Sequence, residues 1–223
     1  MQIRGGVAII IYQTETHQCY TSRNFSCTTS EYMALRSHWT RKDHVVTFFT
    51  SDLHLGHKNI IHLCSRPFKT LEEMNSTLIE KWNAKVRNKD QVFIIGDIFF
   101  RTYAPERILR QLKGRKTLIL GNHDYSWIGR VPLGCYFEGV YSMMETNEGG
   151  RALTLCHYPM MTFPHCMAGY MIHGHIHGNT SADYWSYLKS HERILNASVE
   201  VNNYEPVTFE ELVENNRRYK ASH

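Results

Sequence analysis

Fourteen of the 223 residues are histidine, and several stand beside aspartate, asparagine or glycine in short motifs. In chain order these are Asp52-Leu53-His54, Gly96-Asp97, Gly121-Asn122-His123-Asp124, His157 and Gly174-His175-Ile176-His177. Imidazole, carboxylate and amide oxygen together suit Mn, Fe, Zn or Ni, whereas calcium asks for more oxygen. No cysteine belongs to the set, so a structural thiolate zinc site is a poor match. Asp52, His54, Asp97, Asn122, His157, His175 and His177 are seven candidate ligands, more than one tetrahedral ion takes. A carboxylate shared between two ions resolves the surplus. Two ions about 3.5–4 Å apart form a clamp for breaking phosphoesters. A lone D-x-H or G-D is common by chance. The ordered series is specific, provided a fold brings its members together.

The elements between the motifs supply that context. Val45–Thr50 reads as a buried strand ending at Ser51-Asp52, Val92–Ile95 as a second ending at Gly96-Asp97, and Thr117–Leu120 as a third ending at Gly121. A capping box at Thr70/Glu73 opens an amphipathic helix with Leu71, Met74, Leu78, Trp82 and Val86 on one face. Pro105 and Gly114 bracket another helix. Val140–Met144 and Ala152–Cys156 then read as a hairpin around the turn at Asn147–Gly150, opening an antiparallel region. Tyr170–Ile172 and Ile194–Val199 are further strands, and the box Thr208/Glu211 starts the last helix. The order β-α-β-α-β followed by β-β-β-β-α predicts an α/β sandwich with mixed sheets. Sites in such folds form outside the carboxyl ends of strands, and here five strand ends each deliver candidate ligands.

Residues 1–44 stand apart as a small β/α appendage of unassigned role. It has an apolar run at Val7–Tyr12 and a capping box at Thr28/Glu31 ahead of Tyr32, Met33, Leu35 and Trp39. His17, Cys19, Cys27, His38 and His44 lack the paired spacing of a compact zinc module. Residues 45–223 form the main domain. With 42% hydrophobic and 21% charged residues, the chain reads as globular. Its net charge of +4 does not by itself call for nucleic acid. No apolar run approaches the roughly 18 residues of a membrane span. The six scattered cysteines, with no export signal read, predict reduced thiols in the cytoplasm.

These motifs, taken in order, resemble the calcineurin-like metallophosphoesterase superfamily from about Val45 to the C-terminus. Asp52-Leu-His-Leu-Gly-His-Lys-Asn-Ile-Ile, Arg66-Pro-Phe and Val201-Asn-Asn-Tyr-Glu-Pro-Val look like its small bacterial and phage branch, called phosphoesterase or phosphohydrolase. The resemblance implies a four-layer αββα sandwich. It implies that Asp52, His54 and His177 hold one divalent metal, that Asn122, His157 and His175 hold a second, and that Asp97 bridges them. Mn²⁺ is the preferred ion, ahead of Fe, Zn or Ni. A hydroxide between the ions would attack phosphorus, with His123 on the leaving-group side as acid or charge stabiliser. In the superfamily's phosphoprotein phosphatases an aspartate three residues after the bridging one orients that histidine. Here the position is Phe100, which leaves the task to Asp124 or to no residue at all. Arg101 matches the position of their phosphate-gripping arginine.

The reading that follows is a dinuclear phosphoesterase acting on a small phosphorylated or nucleotide substrate, with diesters preferred over monoesters. A nuclease and a non-catalytic scaffold of the same fold are the alternatives. The low net charge argues against the first and the complete ligand set against the second. His57, Asn59 and Arg66, in the loop after the first motif, and Asn196, from the late strand, are candidate substrate contacts. His173 reads as a packed strand histidine, Cys156 as a buried small hydrophobe, and His62 and His165 as surface groups.

Overall fold

Neighbouring residues of a strand face opposite ways, so a sheet covered on both sides needs apolar residues at every position. The inner segments Val92–Ile95 and Met171–Ile172 have them, whereas Met143–Glu148 is mostly polar and has no buried residue. In a computed structural model, which describes residues 44–102 and 104–223, eight strands form two four-stranded sheets. The first comprises β1 (Thr47–Thr50), β2 (Gln91–Ile95), β3 (Arg115–Ile119) and β4 (Phe137–Tyr141), all parallel and in that order. The second comprises β5 (Met143–Glu148), β6 (Arg151–Cys156), β7 (Tyr170–His173) and β8 (Ile194–Asn196). The expected N-terminal strand and helix, with His17, Cys19, Cys27 and His38, lie outside the described residues, while His44 is exposed.

Three apolar clusters define the layers. Phe49, Phe93, Ile95 and Ile119 of the first sheet meet Leu155, Ile172 and Leu195 of the second, forming the middle. Phe48, Val92, Ile94 and Leu118 face the other way, against Met74, Leu78 and Trp82 of helix α2 (Leu71–Lys85), which follows the short α1 (Ile60–Leu63). Met171 and Ile194 pack outward with Leu188 of α4 (Trp185–Ser190); α3 is the short helix Pro105–Leu109. This is the αββα sandwich. The last helix, α5 (Phe209–Ser222), adds Phe209 and Leu212 to the middle layer.

Two expectations need correcting. Val140–Met144 is not one strand: the chain leaves the first sheet at Tyr141 and enters the second at Met143. Both halves have strand propensity, so the sequence carries no break there. The second sheet is also mostly parallel, since only β5–β6 is antiparallel. Their hairpin closes through Gly149 and Gly150, whose φ of +56° and +83° suit a two-residue turn. The last strand ends at Asn196, because Ala197 and Val199 turn to pair with Ser51 instead: Ser51 N–H donates to Ala197 O at 3.0 Å and Val199 N–H to Ser51 O at 3.2 Å. These bonds, and the reciprocal pair between Phe49 and Val207, join β1 to the segment beyond β8.

Both capping boxes sit at helix starts. Thr208 and Glu211 close theirs reciprocally. Thr70 accepts from the Glu73 N–H, while the Glu73 carboxylate takes the N–H of Lys69 rather than that of Thr70.

Trp82 is fully buried, and its indole N–H donates to Lys113 O at 2.9 Å. Trp82→Ala is expected to cost about 3–5 kcal/mol in urea unfolding, from lost burial and the cavity left behind. A loss under about 1 kcal/mol would mean that this layer repacks.

Candidate metal centre

The loops leaving β1, β2 and β7 place their key side chains on left-handed backbone. The φ values are 56° at Asp52, 50° at His54, 56° at Asp97, 69° at His175 and 50° at His177. Each costs a non-glycine residue roughly 1–2 kcal/mol, and such strain clusters at functional sites. Backbone bonds hold the loops together. Asp52 N–H donates to Gly96 O and His54 N–H to Asp97 O, both at 3.0 Å. Glycines in the motifs make room for the carboxylates. A Cβ at Gly121 would lie 2.2 Å from Asp97 Oδ1, and one at Gly174 2.5 Å from Asp52 Oδ2.

Two groups of donors result. In the first, ligand atoms of Asp52, His54 and His177 lie within 4.8 Å of one another. Asp52 is buried, and its Oδ2 accepts from Ser51 Oγ at 2.6 Å and Ser198 Oγ at 2.7 Å. His177 Nδ1 sits 3.0 Å from Glu200 Oε1. His54 Nε2 is buried with no hydrogen-bond partner, an orphan that a cation would satisfy. In the second group, His157 Nδ1 donates to Ile95 O at 2.9 Å, which turns Nε2 toward the other donors. That Nε2 lies 3.1 Å from Asn122 Oδ1 and 3.4 Å from Asp97 Oδ2. His175 Nδ1 lies 3.1 Å from the same Asn122 oxygen. Asp97 Oδ2 is also 3.6 Å from His54 Nε2, so this carboxylate faces both groups.

The two buried carboxylates favour positive charge at His157 and His177 but not at His54. Burial pushes His157 down, but the Asp97 hydrogen bond and the Asp52 charge outweigh it and lift the group to about 9. His177 is likewise lifted to about 11 against burial, by hydrogen bonds to Cys64 and Glu200 and by the charge of Asp52. Burial raises Asp97, yet the His157 and His123 hydrogen bonds hold it at about 2. Burial, with His177 nearby, takes His54 down to about 2. Buried carboxylates surrounded by imidazole nitrogens and an amide oxygen are a donor set that fits divalent transition metals.

The remaining candidates fall into different places. His123 is partly exposed; its N–H donates to Asp97 Oδ1 at 2.9 Å and its Nε2 lies 3.9 Å from Asp97 Oδ2. The Asp124 carboxylate makes no hydrogen bond to the His123 ring. Its Oδ2 accepts from Asp97 N–H at 2.8 Å and Gly121 N–H at 2.9 Å, and its Oδ1 from Ile98 N–H at 3.2 Å and the Trp127 indole at 2.9 Å. It braces the loops instead, and burial raises its carboxyl to about 6. Arg66 is buried, with its guanidinium on Glu200 Oε1, Leu53 O and Asp52 O, so it faces the protein rather than a substrate. Asn196 is buried too, donating to His177 O at 2.7 Å and accepting from Ser198 N–H at 2.9 Å. His57 stands at the mouth, its ring 3.9 Å from that of Phe100. The Arg101 guanidinium lies 5.3 Å from the Phe100 ring centroid and is exposed. Asn59 is exposed before α1. His173 is packed, its Nδ1 2.9 Å from Gly174 O, while Cys156 is half-buried rather than buried.

Glu200 is the residue the motifs miss. It stands in a Val-Glu-Val segment that reads as strand or turn, and its partners Arg66 and His177 lie 134 and 23 residues away. With Arg66 it links the Asp52 loop to His177, an arrangement that fixes the orientation of a ligating histidine.

Comparison with known proteins points the same way. The family model described as calcineurin-like phosphoesterase matches residues 46–217. An uncharacterised protein of Methanocaldococcus jannaschii is 36% identical over 169 residues, 74% of this chain and 88% of that protein. The gene 66 protein of Mycobacterium phage L5 is 39% identical over 82 residues, 35% of this chain and 39% of that protein. The crystal structure of a protein of unknown function from Aquifex aeolicus shares the fold: TM-score 0.62 at 24% identity, over 77% of this chain and 99% of that one.

Glu200→Gln keeps the shape but removes the charge behind His177. The affinity for Mn²⁺, followed by electron paramagnetic resonance, is expected to drop roughly 10–100-fold. Unaltered affinity would detach Glu200 from the centre.

Proposed function

The chain belongs to the calcineurin-like phosphoesterase family and is a metal-dependent phosphoester hydrolase, and we propose that it uses two divalent ions to hydrolyse a phosphodiester in a small phosphorylated or nucleotide substrate. The observation that carries this reading is Asp97. Its Oδ2 lies 3.6 Å from His54 Nε2 and 3.4 Å from His157 Nε2, between the two donor groups. Asp52, His54 and His177 would hold one ion; Asn122, His157 and His175 would hold the other; Asp97 would serve both. Mn²⁺ is the ion we favour.

When bound, such ions supply positive charge to the phosphate and lower the pKa of a water. The chain's own residues do the rest. His123 is fixed through its backbone to Asp97, and its partly exposed ring can reach a leaving oxygen and give it a proton. Phe100 and His54 lie edge-on to that ring, at 4.9 and 5.2 Å, and help set its direction, with Asp97 Oδ2 3.9 Å from its Nε2. Arg101 offers a guanidinium at the rim for phosphate oxygens.

Aromatic surfaces on two sides favour a diester with an organic group at each end. His57 stacked on Phe100 lies beside His54 and His123. The half-exposed Tyr158 lies 4.6 Å from the His175 ring. Asn59, exposed in the same loop as His57, is a weaker candidate contact. Among the described residues no helix is long and apolar enough to cross a membrane.

Chelator-treated protein is expected to hydrolyse bis-p-nitrophenyl phosphate only after Mn²⁺ is restored; absence of turnover under both conditions would overturn the diesterase reading. His123→Ala is expected to retain metal and lose about 10²–10⁴-fold in kcat. In contrast, Asp97→Asn should lower the bound Mn²⁺ below one equivalent, because one charge serves both ions. Two equivalents bound by that variant would remove Asp97 from the bridge.

A further inference from the structure

A cavity of about 500 Å³ lined by Ala104, Pro105, Glu106, Arg107, Arg110 and Arg130 has no part in the roles described so far. Among the described residues, three guanidinium groups against one carboxylate leave the lining net positive, in a chain whose overall charge is only +4.

Two of the arginines are held in place. Arg130 Nη2 donates to Thr102 O at 3.1 Å and to Ser126 O at 3.0 Å. Arg110 Nε donates to Tyr136 Oη at 3.1 Å and its Nη2 to Glu106 Oε2 at 3.2 Å. Glu106 is thereby shared, since its Oε2 also accepts from Tyr136 at 3.3 Å. Arg107 is exposed, and its guanidinium has no hydrogen bond or ion pair among the described residues. Each arginine carries five N–H donors in a planar fork, so most donors in this cleft remain open to a ligand. Planar forks match phosphate oxygens bidentately.

The cleft is also tied to the catalytic side. Ser126, which holds Arg130, donates its hydroxyl to His123 O at 2.7 Å. Thr102, the other anchor of Arg130, follows Arg101 directly in the chain. Arg130 therefore links the turn that presents His123 to the loop that presents Arg101.

We propose that this cleft is a second phosphate subsite. It binds a phosphate attached to the leaving side of the scissile ester, so the preferred substrate carries at least one phosphate beyond the one cleaved. This rests on the phosphoesterase reading above. The extra phosphate has two sources, the next linkage of a nucleic-acid strand or the terminal phosphate of a small nucleotide, and both present the same oxygens to the arginines.

The test compares kcat/KM with Mn²⁺ for the thymidine dinucleotide, for the same dinucleotide phosphorylated at either end, and for a six-nucleotide thymidine strand. One added phosphate is expected to raise kcat/KM about tenfold or more, the worth of one charge-assisted contact. In Arg107→Gln/Arg110→Gln this gain should vanish. A further gain with the longer strand identifies nucleic acid as the source; saturation at one phosphate identifies a small nucleotide. Binding of the fluorescein-labelled strand in chelator, across a salt series, gives a readout that needs neither metal nor turnover. The variant should lose about 0.7 from the log–log salt slope per phosphate contact removed. Arg107→Gln alone, which has no internal partner to break, repeats the test if the double variant fails to fold. Equal kcat/KM with and without the added phosphate, together with an unchanged salt slope, would overturn the subsite. If no diester is cleaved yet the slope falls, the subsite stands and the diesterase reading is what fails.

Discussion

A carboxylate buried inside a sandwich is costly unless several groups share its charge, and Asp97 is arranged so that nearly everything around it does so. Its Oδ1 takes the backbone N–H of His123, while Oδ2 faces the Nε2 atoms of His54, His123 and His157. Its own N–H goes to Asp124 and its carbonyl accepts from His54. The left-handed turns at Asp52, His54, His175 and His177, and the bare backbone at Gly121 and Gly174, follow from the need to bring this many groups around two carboxylates. The strain of those turns is offset by the two buried cores on either side of the first sheet. Chemistry at the loops therefore depends on packing in the strands.

Much of this was legible in the sequence, for a definite reason. Strands buried on both faces read as unbroken apolar runs, and the residue where each run stops is where the chain meets the open end of the sheet. Asp52, Asp97, Asn122, His157 and His175 stand just beyond such stops, so their convergence could be read without knowing the pairing order. What could not be read depends on long-range pairing. The break at Ser142 is invisible because Val140, Tyr141, Met143 and Met144 all suit a strand, and only the competition between two sheets divides them. Arg66 and Asn196 stand near the motifs in the chain, but that position says nothing of the direction of their side chains. Arg66 turns inward to meet Glu200, and Asn196 meets Ser198 and Asn216.

The His123 ring is not hydrogen-bonded to a carboxylate, although Asp97 Oδ2 stands 3.9 Å from its Nε2. The aspartate that follows it points away, bound to backbone N–H groups and an indole. Aromatic rings flank it instead. Edge-on aromatic contacts constrain direction without adding charge. The ring is thereby aimed largely by shape.

The donor groups are divided between the two sheets. Asp52, His54, Asp97 and Asn122 follow strands of the first, whereas His157, His175 and His177 follow strands of the second. Outside the loops, the sheets are joined by the middle apolar layer and by the short backbone pairing of β1 with residues beyond β8. Ions held between the two sets would act as rivets across a seam. Their binding free energy would add to the cohesion of the sandwich, and any slip of one sheet over the other would pull the donor groups apart. Trimming Phe49 or Phe93, which stack at 5.6 Å within that seam, would thus loosen metal binding without touching a ligand, so the affinity of the centre reports on how firmly the two halves of the fold are clasped.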